Sequence, residues 1–466
     1  MLAIVVCAAW VGANPAVADT WLGFRNDGTS RTTARQLPVK WSPRENIAWR
    51  TELPGYGQSS PVVWKDRVFL TAIDGPQKEK LFILALDSKT GHIVWKKEYS
   101  ASQTGKNNPM MSRAAPTPVV DRENIYSLFE SGDLFAHSHD GGLIWHVALT
   151  QKYGEIKNNH GLGSSLAQSG RAVFVQVDHA GPSYLLAVDK ATGKELWKAE
   201  RPSRTAWTSP VVTVINNQPL VLASGGGSLT AYDAASGQVV ATLDGLTGNT
   251  IPSPTPQGDM IVIGAGENRM NPDPVASAKS NCLVRLTHSG GKFHFERLWQ
   301  GQKAISHHAS PVVHEGHVYF VTRLGLVYCL DLKTGAEKYS ERLDDQVWAT
   351  PIAAGEYIYF FGKSGITTVL KAGGEFDKVA SNRLWSPEEY QTRLAAAKKA
   401  AAQTLPQPPE GKGPGGGPPR PKEEAEAVRY AAVGDVVYGV AAVDGAFFIR
   451  TGTELICIRH NPLPNK

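Results

Sequence analysis

The adjacent pair His307-His308 could suggest a metal site, with His160 as a further imidazole. Spacing argues against it: neighbouring residues of a strand point to opposite faces, so at most one of the pair faces a common centre, and no carboxylate falls at ligand spacing. No metal is expected. Beyond residue 18 the cysteines are Cys282, Cys329 and Cys457, with neither a CxxC nor an adjacent pair. Neither a disulfide framework nor a zinc site is implied, and buried thiols are the default. No Ser-His-Asp set, phosphate loop or dinucleotide fingerprint stands in a supporting context. Gly225-Gly226-Gly227 falls in a turn between strands, with no helix after it to aim its dipole at phosphate. The chemistry left is that of binding. Gln58, Arg113, Asn159, His160, Trp207, Asn249, His307, His308, Trp348 and Arg429 make a basic, amide and aromatic set suited to hydrogen bonding and stacking on a ligand or peptide. Arg113 is the candidate anion contact, or else a structural Arg; Trp207 and Trp348 either stack on a planar ligand or pack between neighbouring elements.

These residues share a position: each lies in a loop just ahead of a short apolar strand. The strand starts are Ser60-Pro61, Thr117-Pro118, Ser209-Pro210, Ser253-Pro254, Ser310-Pro311 and Thr350-Pro351, with Ser165-Leu166 in the same place without Pro and a last start near Ala431-Ala432-Val433. Pro has no backbone donor and suits the start of an edge strand, such as the innermost strand of a propeller blade. Within a unit, "SPVVHEGHVYFVTRLGLVYCLDLKTG" (Ser310 to Gly335) reads as three strands joined by turns at Glu315-Gly316 and Leu324-Gly325. The unit then runs into Asp331-Leu332-Lys333-Thr334-Gly335, matched by turns at Asp87–Gly91, Asp189–Gly193 and Asp233–Gly237, where Asp receives loop N–H groups and Gly takes positive φ. After the turn comes an outer strand with a large ring: Trp95, Trp145, Trp197, Trp299, Tyr339 and Trp385. A ring at one fixed place in each unit packs against the next unit.

Eight such units predict an all-β, eight-bladed β-propeller of four-stranded antiparallel blades spanning residues 46–460. The last unit stops after its third strand, Leu455 to Ile458, and Asn46 to Arg50 has the outer-strand pattern with no blade before it. Residues 46–53 are therefore expected to close the last blade and leave no open edge. The loops listed above then converge on one axial mouth.

A chain of 466 residues is too long for one compact core, which agrees with a stacked repeat, and 46 Gly and 30 Pro supply its turns. The formal charge of +5 is small for the size and no Lys/Arg block occurs, so no nucleic-acid partner is expected. Leu2 to Val11 is apolar and Ala16-Val17-Ala18 has the small-x-small form of a signal-peptidase site, although no Lys or Arg precedes the run. Residues 1–18 are thus read as a signal peptide, 19–45 as an entry segment, and the protein as exported, periplasmic or envelope-associated, without a transmembrane segment and monomeric. Residues 386–424 read as an insertion between blades seven and eight. Ser386-Pro387 starts a helix running to about Gln403, and Pro406 to Pro421, twelve-sixteenths Pro and Gly, cannot bury enough to order itself.

Repeats of the form "SPVV…VYF…G…VYCLDLKTG…W" resemble the quinoprotein-type (PQQ-like) eight-bladed propeller repeats. The opening "WLGFRNDGTS", Trp21 to Ser30, looks like the entry segment of exported bacterial proteins of that superfamily, often named after the propeller lipoprotein of the outer-membrane β-barrel assembly machinery. The resemblance implies either a quinone-dependent dehydrogenase or a propeller without a cofactor. The dehydrogenases hold Ca²⁺ beside PQQ with Glu, Asn and Asp ligands and an Asp base, and commonly stack the quinone on a Trp floor under an adjacent-cysteine disulfide. This sequence has no Cys-Cys pair and no C-x-x-C-H for a covalent haem. The expectation is an exported, non-enzymatic propeller that binds an envelope protein or peptide and no cofactor; the alternative is a PQQ-dependent alcohol or sugar dehydrogenase.

Overall fold

A computed structural model describes residues 19–460 apart from 108, 110, 268–272 and 403–432. The signal-peptide reading and the Pro/Gly-rich part of the insertion lie outside the described residues. Eight antiparallel sheets stand side by side, each with four strands in order from the axis outward. Their innermost strands are Val62–Trp64, Val119–Val120, Ala167–Ser169, Val211–Ile215, Thr255–Gln257, Val312–His314, Ile352–Ala354 and Gly439–Val443, which define blades 1 to 8. The inner strand of blade 8 also touches that of blade 1, so the ring is closed. The outermost strand of blade 8 is Ile47–Glu52, paired antiparallel with Glu454–Arg459, as the sequence predicts.

The last blade begins later than Ala431-Ala432-Val433. Its inner strand is Gly439–Val443, because only there does the chain pair with Ala446–Arg450. The residue just ahead of that strand is Tyr438; Arg429 lies outside the described residues.

Two periodic devices hold the blades together. On the inside, the Ser or Thr before each inner strand accepts the backbone N–H of its counterpart one blade back: Ser60 to Thr117, Thr117 to Ser165, Ser165 to Ser209, Ser209 to Ser253, Ser253 to Ser310 and Ser310 to Thr350, at 2.8–3.1 Å. These edge N–H groups face the axis and would otherwise be buried without partners. In blade 8 the position is Gly439, where a Cβ would come 2.1 Å from the Ser60 hydroxyl.

On the outside, Trp95, Trp145, Trp197 and Trp299 each donate Nε1 to a carbonyl in the next blade's turn: those of His139, Lys190, Ala234 and Leu332, at 2.8–3.1 Å. Each ring lies on the turn's glycine, and Trp49 does the same on Gly91, so a Cβ on Gly91, Gly141, Gly193, Gly237 or Gly335 would come 2.5–2.9 Å from a ring. These rings are core, and Trp49 carries the device across the seam. Trp385 departs from the prediction. The register gives its place in blade 7 to Ala380, and Trp385 lies beyond the strand end, buried against Tyr390 and Gly365.

The segment following residue 18 is an axial plug. Thr20–Trp21 adds to the inner edge of blade 1 at Trp64 and Val63, and Arg31–Thr32 runs parallel along blade 7 at Ala353 and Ala354. Between them the chain crosses the channel. Leu22 accepts the Val120 N–H at 2.9 Å, Gly28 lies against Val211, and Arg25 donates to Thr255 Oγ1 at 2.8 Å and to the Pro254 carbonyl at 2.7 Å. Its contacts run from the starts of the inner strands, at Val211, Pro254 and Thr255, to their far ends, at Trp64 and Ala354, so the segment lies along the channel.

Candidate functional site

Arg113 is the best-built residue of the mouth. Its backbone is clamped by Gln58, whose N–H donates to the Arg113 carbonyl at 3.0 Å and whose Oε1 accepts the Arg113 N–H at 2.8 Å. The guanidinium lies over the Tyr56 ring, 3.4 Å from its centroid. Tyr56 is itself fixed: its backbone pairs both ways with Ile73, its hydroxyl bonds that of Tyr438 at 2.8 Å, and Gly452 leaves room for the ring, which a Cβ there would approach to 2.2 Å. Burial, then the neighbouring Tyr438, holds the Tyr56 hydroxyl well above its usual range, so it stays neutral. Behind this pair Arg450 is fully buried, donating to Thr451 O and weakly to Ser59 Oγ, and burial pushes its guanidinium down to about 9.

The other mouth residues form separate groups. His160 packs on Trp207 with ring centroids 5.7 Å apart, and Trp207 bridges two neighbouring loops, donating Nε1 to Gly161 O at 2.9 Å and its N–H to Thr250 O at 2.7 Å. His308 meets Trp348 edge-on at 5.1 Å, and the Lys363 ammonium, held below its usual range by burial, sits 4.9 Å from the same ring. His307 points elsewhere, its Nε2 4.0 Å from Glu267. The two histidines thus diverge, although they lie in the loop ahead of Val312–His314 and not in a strand. Asn159 is exposed. Asn249 is fully buried and spends its amide on Gly227, Ser224 and Ser228, so it fastens the Gly225–Gly227 turn and does not line the opening. Of the predicted set, the structure brings Gln58 to Arg113, His160 to Trp207 and His308 to Trp348.

The insertion adds what sequence reasoning missed. Its helix, Pro387–Ala402, begins with Ser386 Oγ accepting the Glu389 N–H at 3.1 Å and returns over the mouth. Arg393 anchors it, donating Nε to Asp435 and Nη2 to Glu454 at 2.6 Å, with its guanidinium 5.4 Å from the Trp385 ring. Between this helix and blades 8 and 1 lies a cleft of about 600 Å³, bordered by Tyr56, Arg113, Asp435 and Thr453 on one side and Ala396, Ala397 and Ala400 on the other.

Four carboxylates around the mouth are engaged. Arg393 takes Asp435 and Glu454; Asp345 accepts from the Ser364 hydroxyl at 2.6 Å and N–H at 2.7 Å; Glu130 faces Lys78 at 3.4 Å. Among the described residues no three His, Cys, Asp or Glu stand together as a metal-holding group.

Aligning the repeats by register could have found Arg450. The residues in its place in blades 1 to 7 are Thr71, Leu128, Gln176, Ser224, Gly264, Val321 and Phe361, none charged. Tyr438 became visible only with the corrected start of blade 8. Nothing in the helix sequence told which way it folds back.

The family model described as outer membrane protein assembly factor BamB matches residues 21–176, 181–272 and 295–406. Polyvinylalcohol dehydrogenase of Sphingopyxis sp. (strain 113P3) is 24% identical over 196 residues, 39% of this chain and 28% of that protein. The polyvinylalcohol dehydrogenase of Pseudomonas sp is 23% identical over 199 residues, 39% of this chain and 29% of that one. The matched part thus spans under a third of either curated relative. Among solved structures, BamB from Moraxella catarrhalis superposes with a TM-score of 0.56 at 13% identity, over 88% of this chain and 99% of that one. Quinohemoprotein alcohol dehydrogenase ADHIIG from Pseudomonas putida HK5 superposes with 0.58 at 12% identity, over 97% and 82%. At these identities the likeness is one of fold.

Proposed function

The chain belongs to the family of the outer membrane protein assembly factor BamB, which matches most of its length, and from that premise we propose that it is an exported, non-enzymatic propeller acting as a protein-binding scaffold in the cell envelope. The observation that carries this reading is the helix-roofed cleft at the mouth, concave, part apolar and part basic, which suits a segment of another chain. The donor set supports it: a calcium site takes about six to eight oxygens with carboxylates among them, and among the described residues Asp435, Glu454 and Glu130 are held by cations and Asp345 by loop donors. Trp207 and Trp348 each already pack on a neighbouring side chain, Trp207 on His160 and Trp348 on His308 and Lys363.

Photo-crosslinkers placed at Asn159 and Lys363 in the mouth, and at exposed Val239 on an outer strand, test the reading in intact cells. Adducts with one envelope protein confined to the mouth positions are expected; equal capture at Val239, or none at the mouth, would overturn it. The matches to polyvinylalcohol dehydrogenases favour a second reading, a quinone-dependent oxidoreductase working at the same mouth. Dye-linked alcohol oxidation after addition of quinone and Ca²⁺ is its signature.

A further inference from the structure

We propose that the cleft under the insertion helix binds the free carboxylate of an apolar peptide segment, gripped side-on by Arg113; this rests on the protein-binding reading and names the chemistry such a partner would present. Arg113 is 7% exposed, and among the described residues its buried Nε and Nη2 have no hydrogen-bond partner. Those two donors lie on one edge of the guanidinium and form the fork that a carboxylate accepts bidentately. Donors left unpaired in a dry site carry a free-energy cost that a bound acceptor removes.

The fork is held in place beforehand. Stacking on Tyr56 fixes its plane, Gln58 fixes its backbone, and Tyr438 with Gly452 fixes Tyr56. Among the described residues the surrounding charge is also positive: Arg450 is buried nearby, a Cβ on Gly57 coming 2.1 Å from its Nη2, while Asp435 and Glu454 are taken by Arg393 and Glu130 by Lys78 and the Ala114 N–H.

Two features select the ligand. A single free fork, with Asp435 on the same cleft wall, favours one negative charge and disfavours a phosphate dianion or a polycarboxylate. Opposite Arg113 the wall is Ala396, Ala397 and Ala400, and a cleft of about 600 Å³ has space for several residues of peptide, not merely an ion.

Acetyl-capped pentapeptides of alanine and leucine, with either a free C-terminal carboxylate or its amide, titrated into the full chain, test the proposal. The carboxylate form should bind at least about tenfold more tightly than the amide, as charge-assisted hydrogen bonds predict. Arg113→Lys, keeping the charge without the fork, should shrink the difference, and Arg113→Met should abolish it; thermal unfolding checks that both variants fold. Equal affinity of the two peptides for the wild-type chain, a preference that survives Arg113→Met, or no binding of either peptide would overturn the site. The wild-type comparison decides even where the variants do not fold. Mouth-specific cross-linking without a carboxylate preference would retire this site and leave the scaffold reading standing; loss of both would retire both.

Discussion

Position 439 sets repeat logic against geometry. In blades 1 to 7 the equivalent residue is Ser or Thr, and from Thr117 to Thr350 its hydroxyl closes a hydrogen bond to the blade before. Consensus reasoning would therefore write Ser at 439 and expect a gain of about 1 kcal/mol from one more bond. The structure predicts the reverse. A Cβ at 439 would lie 2.1 Å from Ser60 Oγ and 2.7 Å from both its Cβ and Cα. Ser60 is 6% exposed and sits in the inner ring, so it has little room to retreat. Overpacking of this kind costs about 1–3 kcal/mol, which outweighs the bond. Gly439→Ser should lower the urea midpoint accordingly, read by tryptophan fluorescence. Ser60→Gly removes two of the three clashing atoms, so the double variant should recover part of the loss, a coupling expected of residues in contact. A Gly439→Ser protein as stable as wild type, or additive effects in the double variant, would refute the reasoning.

Removing Arg393 with Arg393→Ala strips the charge partner from Asp435 and Glu454, whose side chains are 13% and 10% exposed. About 1–3 kcal/mol should be lost locally, seen as faster hydrogen exchange across Pro387–Ala402 while the outer strands are unchanged. Trp49→Ala takes the ring that packs on Gly91 across the seam between blades 8 and 1, and, since Trp49 is half-buried, should cost about 2–3 kcal/mol, below a full core truncation, measured by thermal unfolding. His137 is fully buried beside Tyr99 and Phe135, and burial, then Lys97, lowers it from 6.5 to about 4. The folded state thus binds fewer protons than the unfolded one. Its contribution is present above pH 6.5 and lost as pH falls towards 4, up to about 3 kcal/mol. His137→Gln should flatten that part of the stability profile relative to wild type, and identical pH slopes would count against it.

How much of this was legible depended on whether a feature repeats. Pro at each strand start, the Asp-to-Gly turns and the Trp of the outer strands follow one local physics in every unit, so the blade count and the closure by Ile47–Glu52 could be read directly. Trp385 failed because a ring in roughly the right place was accepted without its register, which Ala380 holds. The hydroxyl ring was present as a column of Ser and Thr, but only the placement of adjacent blades shows what each hydroxyl accepts. Site residues were harder. Which loop residues turn inward depends on side-chain partners: Asn249 is drawn into a turn, Arg113 onto Tyr56, and Tyr56 was passed over because it lies two residues ahead of Gln58. The plug and the roofing helix are single events in the chain, with no second copy to compare, and tertiary contacts alone set their direction.

The non-enzymatic reading meets its most direct test in equilibrium dialysis of the purified chain against pyrroloquinoline quinone and Ca²⁺, followed by a dye-linked assay on alcohols. The account predicts no stoichiometric retention of the chromophore and no turnover. One quinone held per chain, with alcohol oxidised in step, would contradict it.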